Sequence, residues 1–291
     1  LTIVGPIHFN IFSAPSWVAA LLNIICILVV VIFFHDPEKK ELVEHIPREG
    51  FMEAIIRQLK GIRDLPIHWP MAILCIVQRM VGDITNTMLS GIGQPMMLIF
   101  GFTTTATVMI VAIAEGVVGL LALALVAIII FGKLGQRVGN WLLYMVAAVC
   151  MFLTYILSYP YPFANSLPAP FNETLRTGCD PSQYSWCETR ELCSPWVFIA
   201  VLVIISGIVL PTGNISLDAI YSRVLSKVDQ NLMQGVFVVA DDVMNALGPL
   251  YSTWMFTDYG QSPLWIANGV ILFISAVIWA ACYKPLKQFS R

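Results

Sequence analysis

Charged residues are scarce in this chain of 291 residues: they make up 12% of the sequence, against 58% hydrophobic residues. A soluble domain carries roughly twice that share of charge. The motifs of several enzyme and pump classes are missing too. There is no H-E-x-x-H of a zinc protease, no Gly-x-Gly-Asp of an aspartyl intramembrane protease and no G-x-x-x-x-G-K-[S/T] phosphate loop. We therefore expect a membrane protein and not an enzyme, with no metal, no cofactor and no nucleic-acid partner.

Seven apolar stretches are long enough to cross a bilayer, which takes about 20 helical residues. They are residues 17–34, 69–98, 104–131, 141–159, 196–215, 233–257 and 263–282. Basic residues concentrate after the first, third, fifth and seventh stretches, which predicts that these segments and the C-terminus are cytosolic. The loop 160–195 then faces the lumen or the exterior. The predicted fold is an all-α polytopic membrane protein with seven transmembrane helices.

A polar connector, residues 35–69, divides the chain after the first span. Apolar residues recur within it at helical spacing from Phe51 to Ile62, which predicts an amphipathic helix at the surface of the membrane or of the bundle. We expect residues 1–34 to hold one span with a preceding luminal segment. Residues 70–291 are then expected to form a six-helix bundle.

The loop 160–195 has features of an oxidising compartment. It contains the sequon Asn172-Glu173-Thr174, which predicts glycosylation of Asn172, and three cysteines. Three cysteines allow one disulfide and leave one thiol over. Their number alone does not fix the pairing.

Ionisable residues within spans cost about 2.5 to 3.5 kcal/mol at the centre of a helix, so each is a candidate for function. Arg79 and Asp83 are four residues apart and share a helical face, on which Asn86 follows. Arg79 is either a substrate contact that is released when Asp83 takes a proton, or half of a structural ion pair. Glu115 lies among small residues, where it could serve proton coupling or form a hydrogen bond between helices.

The span 233–257 carries a polar stripe that includes two adjacent acids. Gln234, Asp241 and Asn245 fall along one face, and Asp242 follows Asp241 directly. Adjacent residues diverge by about 100 degrees on a helix, so the two aspartates cannot both point to one pore centre. We expect one to line the transport pathway and the other to pack or to pair, and the sequence leaves open which does which.

The segment 132–139 reads G-K-L-G-Q-R-V-G and resembles the G-x-L-x-D-R-x-G cytosolic signature of the major facilitator superfamily. Gly132, Arg137 and Gly139 match that signature, whereas Gln136 stands where it has Asp. Further segments resemble a lysosomal branch of the superfamily over most of the chain: Thr177-Gly178-Cys179, Trp186-Cys187, Tyr221 to Leu225, Gln234 to Val236 and Leu247-Gly248-Pro249. Cys193 is outside this pattern. The resemblance therefore makes Cys179 and Cys187 the disulfide candidates.

This resemblance implies a twelve-helix transporter that works by alternating access in an endosomal or lysosomal membrane. The chain would supply helices 6 to 12, and its partners would be a small-molecule or anion substrate, the lipid bilayer and a missing N-terminal half. Proton coupling and chloride movement both fit the charged residues. Because half a facilitator lacks one wall of its cavity, a truncated product without transport is an alternative. A seven-helix receptor is a weaker one, since no Asp-Arg-Tyr follows the third span and no Asn-Pro-x-x-Tyr closes the seventh.

Overall fold

The structure is a computed structural model that describes residues 2–4, 7–8, 14–33, 67–133, 137–163, 165–225 and 230–289. It divides into two compact units, Leu1–Leu65 and Pro66–Arg291. In the first unit, strand β1 (Thr2–Val4) pairs antiparallel with β2 (Ile7–His8), and helix α1 runs over Ala14–Phe33. The amphipathic helix predicted for the connector lies outside the described residues.

The second unit is built of helices. They are α2 (Trp69–Gly91), α3 (Gly93–Ile99), α4 (Thr104–Phe131), α5 (Asn140–Leu157), α6 (Pro195–Ile204), α7 (Leu210–Leu225), α8 (Gln230–Tyr259), α9 (Gln261–Ala281) and α10 (Tyr283–Lys287). A π-helical segment, Ile205–Val209, joins α6 to α7, so that Pro195–Leu225 is one helix of 31 residues. The long loop, residues 158–194, connects α5 to α6 and contains the antiparallel strands β3 (Asn165–Ser166) and β4 (Leu192–Cys193).

Local sequence accounts for where several helices begin and end. The Thr103 side chain accepts the backbone N–H of Ala106 and caps α4. Pro195 stands in the first turn of α6, where no N–H is needed. Gly260, with a φ of 82°, separates α8 from α9 in a conformation that side chains disfavour.

Four of the seven predicted spans are helices that are long and apolar enough to cross a membrane: Thr104–Phe131, Asn140–Leu157, Pro195–Leu225 and Gln261–Ala281. In α1 the apolar helical stretch is shorter, Ala19–Val29. Helices α2 and α8 have the length but carry ionised and amide side chains. The chain is therefore a multi-pass membrane protein of mostly helical structure, and the number of seven spans stays a prediction.

The structure changes two of the predicted boundaries. The single span predicted at 69–98 is two helices, because Gly91, Gly93 and Pro95 disfavour an uninterrupted helix around Ile92. The span predicted to end at residue 215 continues as helix to Leu225.

Two seams of contact hold the second unit together. One lies between α2 and α8, and the other between α5 and α9, while α7 packs on both α2 and α5. The α5–α9 seam is aromatic. Ring centroids lie 4.4 Å apart for Tyr144 and Trp279, and 5.7 Å apart for Tyr155 and Trp265. Outside the seams, large apolar side chains of α4 and α9 are exposed, as expected of helices in contact with lipid.

Candidate functional site

The α2–α8 seam contains an arginine that two aspartates share. Arg79 Nη2 lies 3.1 Å from Asp241 Oδ2, and Arg79 Nε donates to Asp241 Oδ1 at 3.3 Å. The same Nε is 2.9 Å from Asp83 Oδ2, an ion-pair contact outside hydrogen-bonding geometry. The structure therefore brings together Arg79, Asp83 and Asp241, which the sequence assigned to two separate spans.

This cluster is largely withdrawn from solvent. The exposed fractions of the side chains are 15% for Arg79, 9% for Asp83 and 19% for Asp241. The Phe237 ring centroid lies 5.7 Å from the Arg79 guanidinium carbon and covers one side of the cation. Arg79 Nη1 is buried and has no hydrogen-bond partner among the described residues. Both N–H groups of Nη1 are thus able to donate to a ligand or a water molecule.

Close packing of the two helices lets the charges meet. A Cβ atom on Gly248 of α8 would overlap the Thr87 hydroxyl of α2, so this position requires glycine. A Cβ atom on Gly91 would lie 3.4 Å from Ser252 Oγ, in ordinary contact. Gly248 and Asp241 are seven residues apart, two helical turns, and so lie on the same side of α8. Their shared face explains why Asp241 points towards Arg79.

Acids outnumber the base in this cluster. When all are ionised, Arg79 balances only one of Asp83 and Asp241, and the two carboxyl groups are near enough to interact with one another. Asp218 of α7 interacts electrostatically with both Arg79 and Asp241. The site therefore has excess negative charge, which favours binding of a proton or another cation.

The other polar residues that the sequence singled out on α2 and α8 lie in different surroundings. Asn245 donates to Asp241 Oδ1 at 3.4 Å and extends the cluster along α8. Asn86 lies one turn beyond Asp83 and accepts from Ser206 Oγ at 3.4 Å. Gln234 is partly exposed on α8, and Asp242 is exposed. The choice between the two aspartates, open from sequence, falls on Asp241 as the partner of Arg79.

Ser206 belongs to the π-helical segment. Such single π turns frequently mark functional sites, because they rotate the side chains of one turn relative to the rest of the helix. Here the next residue, Gly207, lies against α4, where a Cβ atom would come within 3.1 Å of Leu121. The segment therefore joins α4 on one side and Asn86 of α2 on the other.

Glu115 stands apart from the cluster. It is exposed on α4, and none of the described side chains forms a hydrogen bond or an ion pair with it. A Cβ atom added to Gly116 or Gly119 would also meet nothing within 4 Å. This face of α4 is open, so the helix packing expected around Glu115 is not supplied by the second unit.

Two features escaped the sequence analysis. Asp218 lies beyond the predicted end of its span, because the span was ended ten residues too early. Gln78 is fully buried on the face of α2 next to Arg79, where its side-chain oxygen accepts from the Tyr144 and Ser275 hydroxyls. Gln78 and Tyr144 also border a cavity of about 30 Å³, enough for one or two water molecules. The sequence signal that could have identified Gln78 is an amide side chain within an apolar stretch.

The segment that resembles the cytosolic signature lies between α4 and α5. Gly132 follows α4, and a Cβ atom there would overlap the Ile128 carbonyl oxygen. Gly139 precedes α5 with a φ of 89°. Arg137 is exposed, and residues 134–136 are outside the described part of the chain. The two signature glycines thus occupy positions that need glycine.

In the long loop, Cys179 and Cys187 form a disulfide with Cα atoms 5.7 Å apart. Cys193 is a free thiol, and burial raises its pKa to about 11. Asn172 is exposed, and its side-chain oxygen accepts the backbone N–H groups of Thr174 and Leu175. The loop therefore presents the sequon at its surface.

A search of curated proteins finds similarity to the major facilitator superfamily domain-containing protein 8 of Xenopus laevis. The two sequences are 22% identical over 322 residues, which is 100% of this chain and 61% of that protein. The predicted resemblance is confirmed. No profile of a known protein family matches the chain, and no solved structure matches it. The chain spans about three fifths of the length of its curated relative, and the similarity supports a transporter family.

Proposed function

We propose that the complete protein transports a small solute or anion across an endosomal or lysosomal membrane by alternating access. In this proposal the chain supplies helices 6 to 12 of a twelve-helix transporter, and a preceding half forms the opposite wall of the pathway. The pathway runs past Arg79, Asp83, Asn86 and Asp241, with Glu115, Gln234 and Asn245 on its borders. The observation that carries the proposal is an arginine shared between two helices, whose buried Nη1 has no hydrogen-bond partner among the described residues.

A shared arginine suits proton coupling. With two acids and one base, the cluster is balanced when one carboxyl group holds a proton. Protonation of Asp83 removes one of the two carboxylates that hold Arg79, and leaves Asp241 of α8 as its charged partner. Arg79 is then held less strongly and can donate to an anion. Loss of the proton restores the second carboxylate and displaces the anion.

Transport by the full-length protein in proteoliposomes tests this proposal, with chloride as the probe and a chloride-sensitive dye as the readout. We expect Arg79→Ala to lower the flux about tenfold or more, because a buried charged hydrogen-bond donor is lost. Asp83→Asn and Asp241→Asn should retain flux and lose its dependence on pH. The matched control is Asp242→Asn, which changes the adjacent, exposed acid of the same helix.

Three results would contradict the proposal or a part of it. If Arg79→Ala carries wild-type flux at equal protein amounts, Arg79 is a structural ion-pair residue. If the wild-type protein moves neither chloride nor protons, the non-transporting alternative gains support. Flux from this chain alone, without the preceding half, would show that a second half is not needed.

A further inference from the structure

The long loop contacts the end of α8, where Trp186 is the side chain that forms hydrogen bonds with it. The Trp186 indole N–H lies 2.8 Å from the Phe256 carbonyl oxygen and 3.1 Å from that of Thr257. These carbonyls belong to the last turn of α8, where helical N–H donors run out. The Phe256 carbonyl also accepts the Gly260 backbone N–H at 3.0 Å, whereas among the described residues the Thr257 carbonyl has the indole as its donor. Trp186 is 3% exposed. Its indole therefore acts as a side-chain cap of the helix end.

The residues around this contact pack closely on the Trp186 indole. Trp186 packs edge-on against Phe256 with 5.2 Å between ring centroids. A Cβ atom on Gly260 would lie 3.2 Å from the indole, closer than side-chain atoms usually approach. Tyr184 stands against both rings. The seat for the indole is thus built by α8, by Gly260 and by the loop itself.

The loop is anchored independently on a second helix. The Gly178 N–H donates to the Leu98 carbonyl oxygen at 2.8 Å, and the Ala169 N–H donates to that of Ile99 at 3.0 Å. Both acceptors lie at the end of α3, which continues from α2. The Cys179–Cys187 disulfide closes the segment between this anchor and Trp186. The loop therefore connects the end of α3 to the end of α8 by a short, cross-linked path.

The long loop holds α8 on the C-terminal side of Pro249, the position at which this helix can bend. Pro249 lies inside α8, between Asp241 and Phe256. A proline within a helix removes one backbone hydrogen bond and is the usual place for a kink. The segment before Pro249 is bound to α2 by the Arg79 cluster. The segment after Pro249 packs on α2 where Ser252 meets Gly91, and its end is held by Trp186.

We propose that Trp186 is a latch that fastens the end of α8 to the long loop, so that α8 bends at Pro249 only when the indole leaves its seat. The latch needs the Cys179–Cys187 cross-link, which joins the loop's anchor on α3 to Trp186. It is a conformational device separate from the charged cluster, and it does not depend on the nature of any substrate.

Hydrogen exchange measured by mass spectrometry on the chain in lipid nanodiscs tests the latch. Trp186→Phe removes the indole N–H and keeps an aromatic ring in the seat. We expect backbone amides of residues 255–260 to exchange about fivefold faster, as for loss of one typical hydrogen bond. The control is Trp254→Phe, the same substitution at an exposed position of α8, which should leave these amides unchanged.

The double variant Cys179→Ser with Cys187→Ser extends the test to the anchor. It should speed exchange at the end of α8 and also at residues 98–102, whereas Trp186→Phe should affect only α8. Unchanged exchange at the centres of α5 and α9 shows that each variant is folded. The latch is refuted if exchange at residues 255–260 in folded Trp186→Phe stays within about twofold of the wild type.

Discussion

The two seams of the second unit satisfy their polar groups in different ways. In the α5–α9 seam every partner is neutral: the Trp265 indole donates to Ser158 Oγ at 2.8 Å, and Asn268 donates to the Tyr155 hydroxyl at 3.3 Å. In the α2–α8 seam the partners are charged. In both seams a buried polar atom lacks a hydrogen-bond partner among the described residues, Asn268 Oδ1 in the first and Arg79 Nη1 in the second. Neutral hydrogen bonds and tilted or edge-on aromatic contacts stabilise a helix pair, whereas buried charges are costly and rarely do so. The first seam is the scaffold of this bundle, and the second is where activity is to be sought.

Close approach distinguishes the seams as well. Between α5 and α9, large rings such as Tyr144 and Trp279 set the distance between the helices. Between α2 and α8, Gly248 removes the side chain that would stand between them. A contact made of backbone and short side chains can slide or part with little repacking, while interlocked rings cannot. The charged seam is therefore also the one suited to movement.

A substitution in the α5–α9 scaffold seam should cause the largest loss of unfolding free energy. Trp279 is fully buried, packs against Tyr144 and donates to the Trp141 carbonyl oxygen at 3.3 Å. We expect Trp279→Ala to lower the free energy of unfolding by about 4 kcal/mol, because a large cavity remains. Unfolding in mixed detergent micelles measures it. Ile274→Ala on the same helix removes a side chain that is 52% exposed and should cost much less; equal losses would mean that the seam is not the scaffold.

Neutralising the charged seam tests the other half of the comparison. Arg79→Met alone leaves two carboxyl groups without their cation, and we expect a loss of about 3 kcal/mol. Adding Asp83→Asn and Asp241→Asn removes those charges, and the triple variant should return to within about 1 kcal/mol of the wild type. The same unfolding titration measures both variants. A triple variant as unstable as Arg79→Met would show that the charges support the fold itself.

The sequence predicted the helices better than their contacts. Hydropathy identified the four apolar spans, since each needs only its own residues to be recognised. The i, i+4 spacing identified Arg79 with Asp83, because both lie on one helix. It could not show that Asp241, 162 residues after Arg79, completes the cluster, since pairing across helices depends on packing.

Boundaries and neutral polar residues were harder to predict. Helix α7 continues past the predicted end of its span to Leu225 and brings Asp218 into the site. Gln78 is uncharged and so was not among the candidates chosen for their charge, yet its hydrogen bonds join α2 to α5 and α9. Glu115 met every sequence criterion for a buried acid but is exposed on α4.

The smallest expected effect compares a serine of the α5–α9 seam with a serine of the π-helical segment that contacts α2. Ser158→Ala leaves the buried Trp265 N–H without its acceptor, and we expect it to cost about 1 to 2 kcal/mol of unfolding free energy. Ser206→Ala removes only a 3.4 Å contact with Asn86, and we expect about 0.5 kcal/mol or less. Because both variants lose a serine hydroxyl, the difference between their free energies of unfolding reports the difference between the two environments. A larger loss of unfolding free energy for Ser206→Ala would mean that the π-helical segment is part of the scaffold. The division between a scaffold seam and a movable seam would then have to include that segment in the scaffold.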